Sequence, residues 1–180
     1  MTKTTILSLV LASYALLKSQ GQGTIMYDQQ SSDESYIAGG IAIQPYQPIG
    51  QSFTPTLSSI GFIRIYIGDN TAGNSLGATL HINLLTNSIT GPVLATTDPM
   101  TVADGFNGVL DFYFSTPQSI TPGATYLFRP IVDAGDIFIM AAYNYNYPGG
   151  TEFVSGSPSP NGDVWFREGS LSPSHLRGRC

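Results

Sequence analysis

Aromatic and amide side chains alternate in one short segment, Tyr143-Asn144-Tyr145-Asn146-Tyr147. Sugars bind in water by stacking their apolar faces on flat aromatic rings, while amides, carboxylates and guanidinium groups take the hydroxyls. The segment supplies both kinds of group, and the Pro-Gly-Gly that follows it predicts a loop. We therefore expect a ligand platform here. The alternative is that some of these tyrosines fold back over the end of the domain, with their hydroxyls reaching water.

A second candidate pair is Trp165, the single tryptophan, and Arg167. Residues two apart in a strand share one face, so this pair could stack on a sugar ring and clamp it. The alternative is a cation–π contact that seals the face of a sheet.

A third candidate is a set of polar and aromatic residues that alternate with apolar ones in three predicted strands. They would form one sheet face if the strands were neighbours, and two separate solvated surfaces if they were not. The set comprises Arg64, Tyr66, His81, Asn83, Asp111 and Tyr113.

Groups suited to catalysis are sparse. Of two histidines, His81 is the one outside the C-terminal tail, and no Gly-x-Ser-x-Gly elbow accompanies it. P-loop, dinucleotide and zinc-ligand spacings are absent from the sequence. A glycosidase needs only two carboxylates, and Glu152 and Glu168 are the glutamates to test. The other acids lie mostly in turns, so we expect no enzyme.

Calcium is the metal that this composition allows, because oxygen ligands are abundant and clusters of thiols or histidines are absent. Asp69, Asn70 and Asn74 share one loop, while Asp28 and Glu168 lie near opposite ends of the domain, where first and last strands often pair. Turn chemistry explains Asp and Asn in loops without an ion. We expect no cofactor, and a structural calcium stays the alternative.

These residues must be positioned by strands, because period-two alternation recurs between clusters of Gly, Pro, Asn and Ser. We predict strands at 24–29, 50–54, 60–67, 77–85, 92–96, 108–115, 124–132, 136–142 and 162–168. The apolar alternates should meet as the core between two sheets. They are Ile63, Ile65, Ile67, Leu80, Ile82, Leu84, Leu110, Phe112 and Phe114. The fold class is therefore all-β, a two-sheet antiparallel β-sandwich of the jelly-roll kind.

Charge and cysteine content narrow the class of partner. The chain has 180 residues and a net charge of −5, and lysine is absent after Lys18. Such a surface repels phosphate backbones, so nucleic acid is excluded as the expected partner. The single cysteine, Cys180, excludes a disulfide framework.

Residues 1–21 have the layout of a secretory signal peptide. Lys3 gives the positive start, an uncharged apolar run follows, and Ser19 and Gly21 offer a cleavage position. The run is too short to span a bilayer, which needs about 20 residues. We predict a β-sandwich domain over 22–169, a disordered tail over 170–180 and no membrane span in the mature chain. The expected location is secreted, either extracellular or at the cell surface.

Six phrases together resemble a known group of proteins. They are Tyr27-Asp28-Gln29-Gln30, Gly50-Gln51-Ser52-Phe53-Thr54-Pro55, Leu76-Gly77-Ala78-Thr79-Leu80, Thr121-Pro122-Gly123-Ala124-Thr125-Tyr126, Asn146-Tyr147-Pro148-Gly149-Gly150 and Asp163-Val164-Trp165-Phe166-Arg167-Glu168-Gly169. The group consists of exported bacterial single-domain proteins with a jelly-roll sandwich similar to carbohydrate-binding modules, many with a Pro-Glu-Pro sorting tail (PEP-CTERM). The resemblance covers roughly residues 24–169, and residues 170–180 lack that tail.

The resulting hypothesis is a secreted, non-catalytic, carbohydrate-binding-like module whose partner is a polysaccharide or glycan. The predicted ligand-binding residues are Tyr143, Asn144, Tyr145, Asn146, Tyr147, Trp165, Arg167 and Arg64. Two alternatives stay open: a structural protein of the extracellular matrix or cell surface, and a polysaccharide-degrading enzyme.

Overall fold

The computed structural model describes residues 24–31, 39–143, 147–159 and 162–172, and all regular structure in these ranges is β-strand. The strands are β1 Thr24–Gln30, β2 Ile41–Ala42, β3 Gly50–Phe53, β4 Ser59–Asp69, β5 Ala78–Thr86, β6 Val93–Thr96, β7 Met100–Val102, β8 Asn107–Ser119, β9 Tyr126–Gly135, β10 Phe138–Met140, β11 Ala142–Tyr143, β12 Glu152–Val154, β13 Ser157–Ser159, β14 Asp163–Val164 and β15 Phe166–Ser172.

Two antiparallel sheets pack face to face, which confirms the predicted β-sandwich. In the six-stranded sheet A, β8 pairs with one edge of β4, while β15 and β10 share the other edge; β1 then pairs with β15, and β2 with β10. The seven-stranded sheet B has the order β13-β12-β3-β9-β5, with β6 and β7 sharing the far edge of β5. Strands β11 and β14 form a small separate pair.

The core lies between the sheets, where the alternation predicts it. Ile63, Ile65 and Ile67 from sheet A are fully buried, as are Leu80, Ile82 and Leu84 from sheet B. Phe112 and Phe114 of β8 join the same cluster, and Leu110 is partly buried against it. The pattern arises because each sheet has one face in the core and one in water, so side chains alternate between the two.

Strands are present at every predicted position, but the one predicted over 136–142 divides into β10 and β11, and the one over 162–168 into β14 and β15. Four short strands were missed. Strands β2, β7, β12 and β13 have two or three residues each, too few to show a period. The last strand also extends beyond the predicted boundary, because Ser170–Ser172 pair with Thr24–Met26. The predicted tail boundary after residue 169 is therefore wrong by three residues, and residues 173–180 lie outside the described part.

Within the ranges that the structure describes, no helix is long and apolar enough to cross a membrane.

Candidate functional site

The face of sheet A that points away from the core carries rings and charges from four adjacent strands, which we call the outer face. Its members are Tyr27 from β1, Phe62, Arg64 and Tyr66 from β4, Asp111 and Tyr113 from β8, Arg167 from β15, and Trp165 immediately before it. Phe62 and Trp165 are buried although they are outside the main core cluster. The outer face therefore has an aromatic layer of its own.

Strand register places these side chains in two rows. In the first row Tyr27 lies opposite Gly169, which lies opposite Phe62, which lies opposite Tyr113. Because Gly169 has no side chain, the rings of Tyr27 and Phe62 meet across it, edge to face, with centroids 5.8 Å apart. Filling the space above a strand glycine with aromatic rings is a known way to stabilise a sheet.

The second row contains the charges. Arg64 lies opposite Arg167 on one side and opposite Asp111 on the other. Two like charges directly opposite each other destabilise a sheet. Here both guanidinium groups lie over the Tyr27 ring, 5.4 Å from its centroid for Arg64 and 4.9 Å for Arg167, and a cation is attracted to such a ring.

Asp111 balances part of this positive charge. Its two carboxylate oxygens accept from Nε and Nη2 of Arg64 at 2.5 and 2.8 Å, which is a bidentate pair. The Tyr113 hydroxyl donates to Asp111 Oδ2 at 3.3 Å. Burial, followed by the charge of Asp111 and this hydrogen bond, raises the pKa of Tyr113, so its hydroxyl stays protonated.

Tyr27 is the ring of this face that reaches solvent. Its side chain is 42% exposed, whereas Tyr66 and Tyr113 are half-buried and Trp165 is 1% exposed. The arrangement offers one accessible flat ring beside guanidinium, carboxylate and phenol groups. These are the chemical groups that bind a sugar.

The expected exposure of Tyr147 is wrong. Tyr147 is 7% exposed, its ring packs edge-on against Phe166 at 5.2 Å, and its hydroxyl donates to Gln29 Oε1 at 2.9 Å. Burial raises the pKa of Tyr147 to about 12. The ring folds back against the core, as in the alternative interpretation of this segment, but its hydroxyl bonds to Gln29 instead of reaching water.

The other residues of that segment contribute no described side chain. Tyr143 pairs with Asp163 between β11 and β14, and Asn144, Tyr145 and Asn146 lie outside the described residues. The three-ring platform is therefore reduced by the burial of Tyr147.

Trp165 is likewise covered, so the expected open stacking surface at this ring is wrong. Arg167 lies over Trp165 at 5.9 Å, and Tyr66 packs edge-on against it at 6.5 Å. This geometry corresponds to the sealing cation–π contact. Arg64 and Arg167, predicted separately, are brought together on the outer face.

The outward-facing polar set is divided between the sheets. Arg64, Tyr66, Asp111 and Tyr113 share the outer face of sheet A, because β4 and β8 are neighbours. His81 lies on sheet B, where its Nδ1 is 2.8 Å from Asp133 Oδ2. Asn83, on the same strand, accepts from Thr96 Oγ1 at 2.7 Å.

The carboxylates proposed for catalysis are not accessible. Glu152 is 2% exposed and Glu168 is 0% exposed. Burial raises the pKa of each, with Asp163 adding to the shift at Glu152 and Asp28 adding to it at Glu168. A substrate cannot reach either group in this conformation.

In the loop proposed for calcium, the Asp69 carboxylate is already engaged by backbone amides of this loop and of the neighbouring turn at Gly105. Asp69 accepts from the amides of Thr71 and Gly105, both at 2.8 Å. In the described part of the chain, no three His, Cys, Asp or Glu side chains are grouped as metal ligands would be. Asp28 and Glu168 do meet, because β1 pairs with β15.

Sequence reasoning missed Tyr27 as a site residue. Its strand, TIMYDQQ, shows no clean alternation. The ring becomes a candidate only through its contacts with Arg64 and Arg167, which lie on other strands. The pairing of first and last strands, which the sequence suggested for Asp28 and Glu168, was the available signal.

No protein-family model matches the chain, and a search of the curated proteins also finds no match. The resemblance to exported jelly-roll proteins stays a prediction.

Proposed function

We propose that this protein is a secreted, non-catalytic module that recognises carbohydrate through the outer face of sheet A. The observation that carries the proposal is the ring of Tyr27, 42% exposed and lying over Arg64 and Arg167. A ring that is open to water yet fixed from below can stack on a sugar with little loss of conformational entropy.

Two polar side chains beside Tyr27, one from each row, give the proposed ligand its orientation. Asp111 and Tyr113 are fixed by their contacts with each other and with Arg64. Fixed donors and acceptors at the edge of a stacking ring can read hydroxyl positions. Four strands about 4.8 Å apart give a face about 14 Å wide, which accommodates more than one sugar unit. A polysaccharide chain is therefore the proposed ligand, rather than a monosaccharide.

The position of the two described glutamates inside the sandwich supports a module without a catalytic role. Glu152 and Glu168 are both buried, whereas a glycosidase must place its two carboxyl groups on either side of a bound substrate. Tyr143, Asn144, Tyr145 and Asn146 remain predicted contributors from the neighbouring loop.

The test is retention of the full chain on a panel of soluble glycans and insoluble polysaccharides. Tyr27→Ala should abolish retention, while Tyr46→Ala should preserve it. Tyr46 is a matched control because it is 47% exposed and lies near β12, on the other sheet. Silence of the wild type across the panel, or retention that survives Tyr27→Ala, overturns the proposal.

A second candidate, a structural surface protein, is favoured by the apolar edge of β1. Ile25 is 36% exposed and Met26 is 44% exposed. Exposed apolar side chains on an edge strand promote pairing between molecules. This role requires concentration-dependent self-association that Met26→Lys removes and that soluble sugar leaves unchanged.

A further inference from the structure

A buried carboxyl group lies on the opposite face of sheet A from Tyr27. Glu168 is 0% exposed, and neither of its carboxylate oxygens has a hydrogen-bond partner among the described residues. It lies opposite Gln29 on β1, next to the bulge between Tyr27 and Gln29. A buried ionised carboxylate without donors is strongly unfavourable.

The neighbouring carboxyl group, Asp28, is in the opposite situation. It accepts from the backbone amides of Thr56 and Leu57 at 2.7 and 2.9 Å, from Thr56 Oγ1 at 2.5 Å and from Gln29 Nε2 at 3.0 Å. Burial alone would raise the pKa of Asp28, but these hydrogen bonds outweigh it and lower the pKa. Asp28 is therefore ionised near neutral pH.

Around Glu168 the backbone amide of Gln29 favours the ionised form, but burial and the charge of Asp28 outweigh it. From β1 it faces Asp28, and from β4 its cross-strand neighbour is the apolar Ile63. The remaining titratable neighbour, Tyr147, donates its proton to Gln29 Oε1 instead. Burial, followed by the charge of Asp28, raises the pKa of Glu168 to about 8.

A proton fits this pair better than a calcium ion does. Each oxygen of Asp28 already accepts two hydrogen bonds, so both are poor metal ligands. Glu168 alone supplies too few oxygens, since calcium takes six to eight. A proton on Glu168 instead removes the charge that burial and the neighbouring Asp28 carboxylate disfavour.

We propose that Glu168 is a neutral carboxylic acid when β1 is docked, and that this protonation keeps β1 docked. Rising pH then opens β1, because Glu168 ionises more easily in water, in the open state, than inside the sandwich. Strand β1 is an edge strand whose pairing partner is β15, so it can separate without unfolding the core. Tyr27 would leave the outer face with it.

The loss of ligand binding on opening rests on the proposed function, whereas the opening itself does not. The two can therefore fail separately.

The test is hydrogen exchange of residues 24–30 in the full chain between pH 5 and 10, corrected for intrinsic exchange rates. The open state ionises in water near the ordinary value of 4.5 and the closed state near 8. Opening should thus rise tenfold per pH unit toward pH 8 and level off above it. In Glu168→Gln the opening should be independent of pH, and Glu152→Gln, a second buried glutamate on sheet B, should keep the wild-type profile.

A direct measurement covers the case in which Glu168→Gln does not fold. Carbon-13 NMR of the Glu168 carboxyl in the wild type should show ionisation near pH 8, unchanged by calcium or a chelator. Ionisation near pH 4.5, exchange of β1 that is constant across the range, or a midpoint that added calcium shifts would each overturn the proposal.

Discussion

Tyr27 and Phe62 meet edge to face across Gly169, with ring centroids 5.8 Å apart, on the side of sheet A that faces away from the core. Phe62 is fully buried although it points outward, and Tyr113 packs on it as well. Strand β1 is thereby attached to β4 by a ring contact that crosses β15 at Gly169, where β15 has no side chain. The accessibility of Tyr27 and the docking of β1 consequently depend on the same few contacts.

Adding a single methyl group at Gly169 should disrupt this arrangement. A Cβ at this position would lie 1.9 Å from the Met26 carbonyl oxygen, so β1 must move. Gly169→Ala should lower the free energy of unfolding by about 1–3 kcal/mol, as overpacking does. Gly108→Ala is the control, because a Cβ there meets only Phe106 at 3.7 Å. Equal denaturation midpoints for the two variants would show that β1 is not closely packed.

The two aromatic residues that flank Arg167, Trp165 and Tyr27, should differ in how much they contribute to stability. Trp165→Ala removes a 1% exposed side chain and should destabilise the fold by about 3–5 kcal/mol. Tyr27→Ala, which removes a half-exposed ring, should cost about 1 kcal/mol. Chemical denaturation of both variants measures this difference. A small effect at Trp165 would mean that this ring is not packed as described.

Removing Asp111 should expose the repulsion between the two arginines. In Asp111→Asn the bidentate pair with Arg64 is weakened while Arg64 still faces Arg167, and we expect a loss of about 1–3 kcal/mol, as for other hydrogen bonds to charged groups. Asp133→Asn, at the more exposed pair with His81, should change stability by less than about 1 kcal/mol. A double-mutant cycle with Arg64→Met isolates the coupling, and a coupling near zero would contradict this account.

Asp28 should make the fold sensitive to acid. Because its folded pKa is lowered, its stabilising contribution is present above the ordinary value near 3.8 and is lost as pH falls through the folded value. Melting temperatures between pH 2 and 6 should therefore fall less steeply in Asp28→Asn than in the wild type. The exposed Asp98→Asn should follow the wild-type curve. Parallel curves for Asp28→Asn and the wild type would remove Asp28 from this role.

Tyr147 should behave as a core residue. Its hydroxyl donates to Gln29 and accepts from the Thr54 amide, so Tyr147→Phe should cost about 1 kcal/mol of stability. The same variant should leave glycan retention unchanged, because the hydroxyl is not presented to a ligand. Loss of retention with unchanged stability would restore Tyr147 to the binding site.

Alternation predicted the strands and the core because it reflects a constraint internal to each strand. Ile63, Ile65 and Ile67 must share a face wherever β4 lies. Which strands become neighbours depends instead on long-range pairing, and this pairing determines which side chains meet in the candidate site. The contact of Arg64 with Asp111 and Arg167 joins residues far apart in sequence, so no local pattern could show it.

Burial of single side chains in loops and at strand ends was equally beyond the sequence. Tyr147 and Trp165 are of residue types common in exposed binding sites, yet both rings are buried. Trp165 packs against Tyr66 and Tyr147 packs against Phe166. Their burial depends on three-dimensional packing that residue type and spacing do not encode. Glu168 differs, because it follows Phe166 by two residues in β15 and alternation alone places both on the inward face.

The central claim is that Tyr27 forms the base of a carbohydrate site, and isothermal titration of the best-retained polysaccharide fragment into the full chain tests it most directly. We predict saturable binding by the wild type and by Tyr27→Phe, which keeps the ring, and a loss of at least tenfold in affinity for Tyr27→Ala with Tyr46→Ala unaffected. Equal affinities of Tyr27→Ala and the wild type would contradict the account.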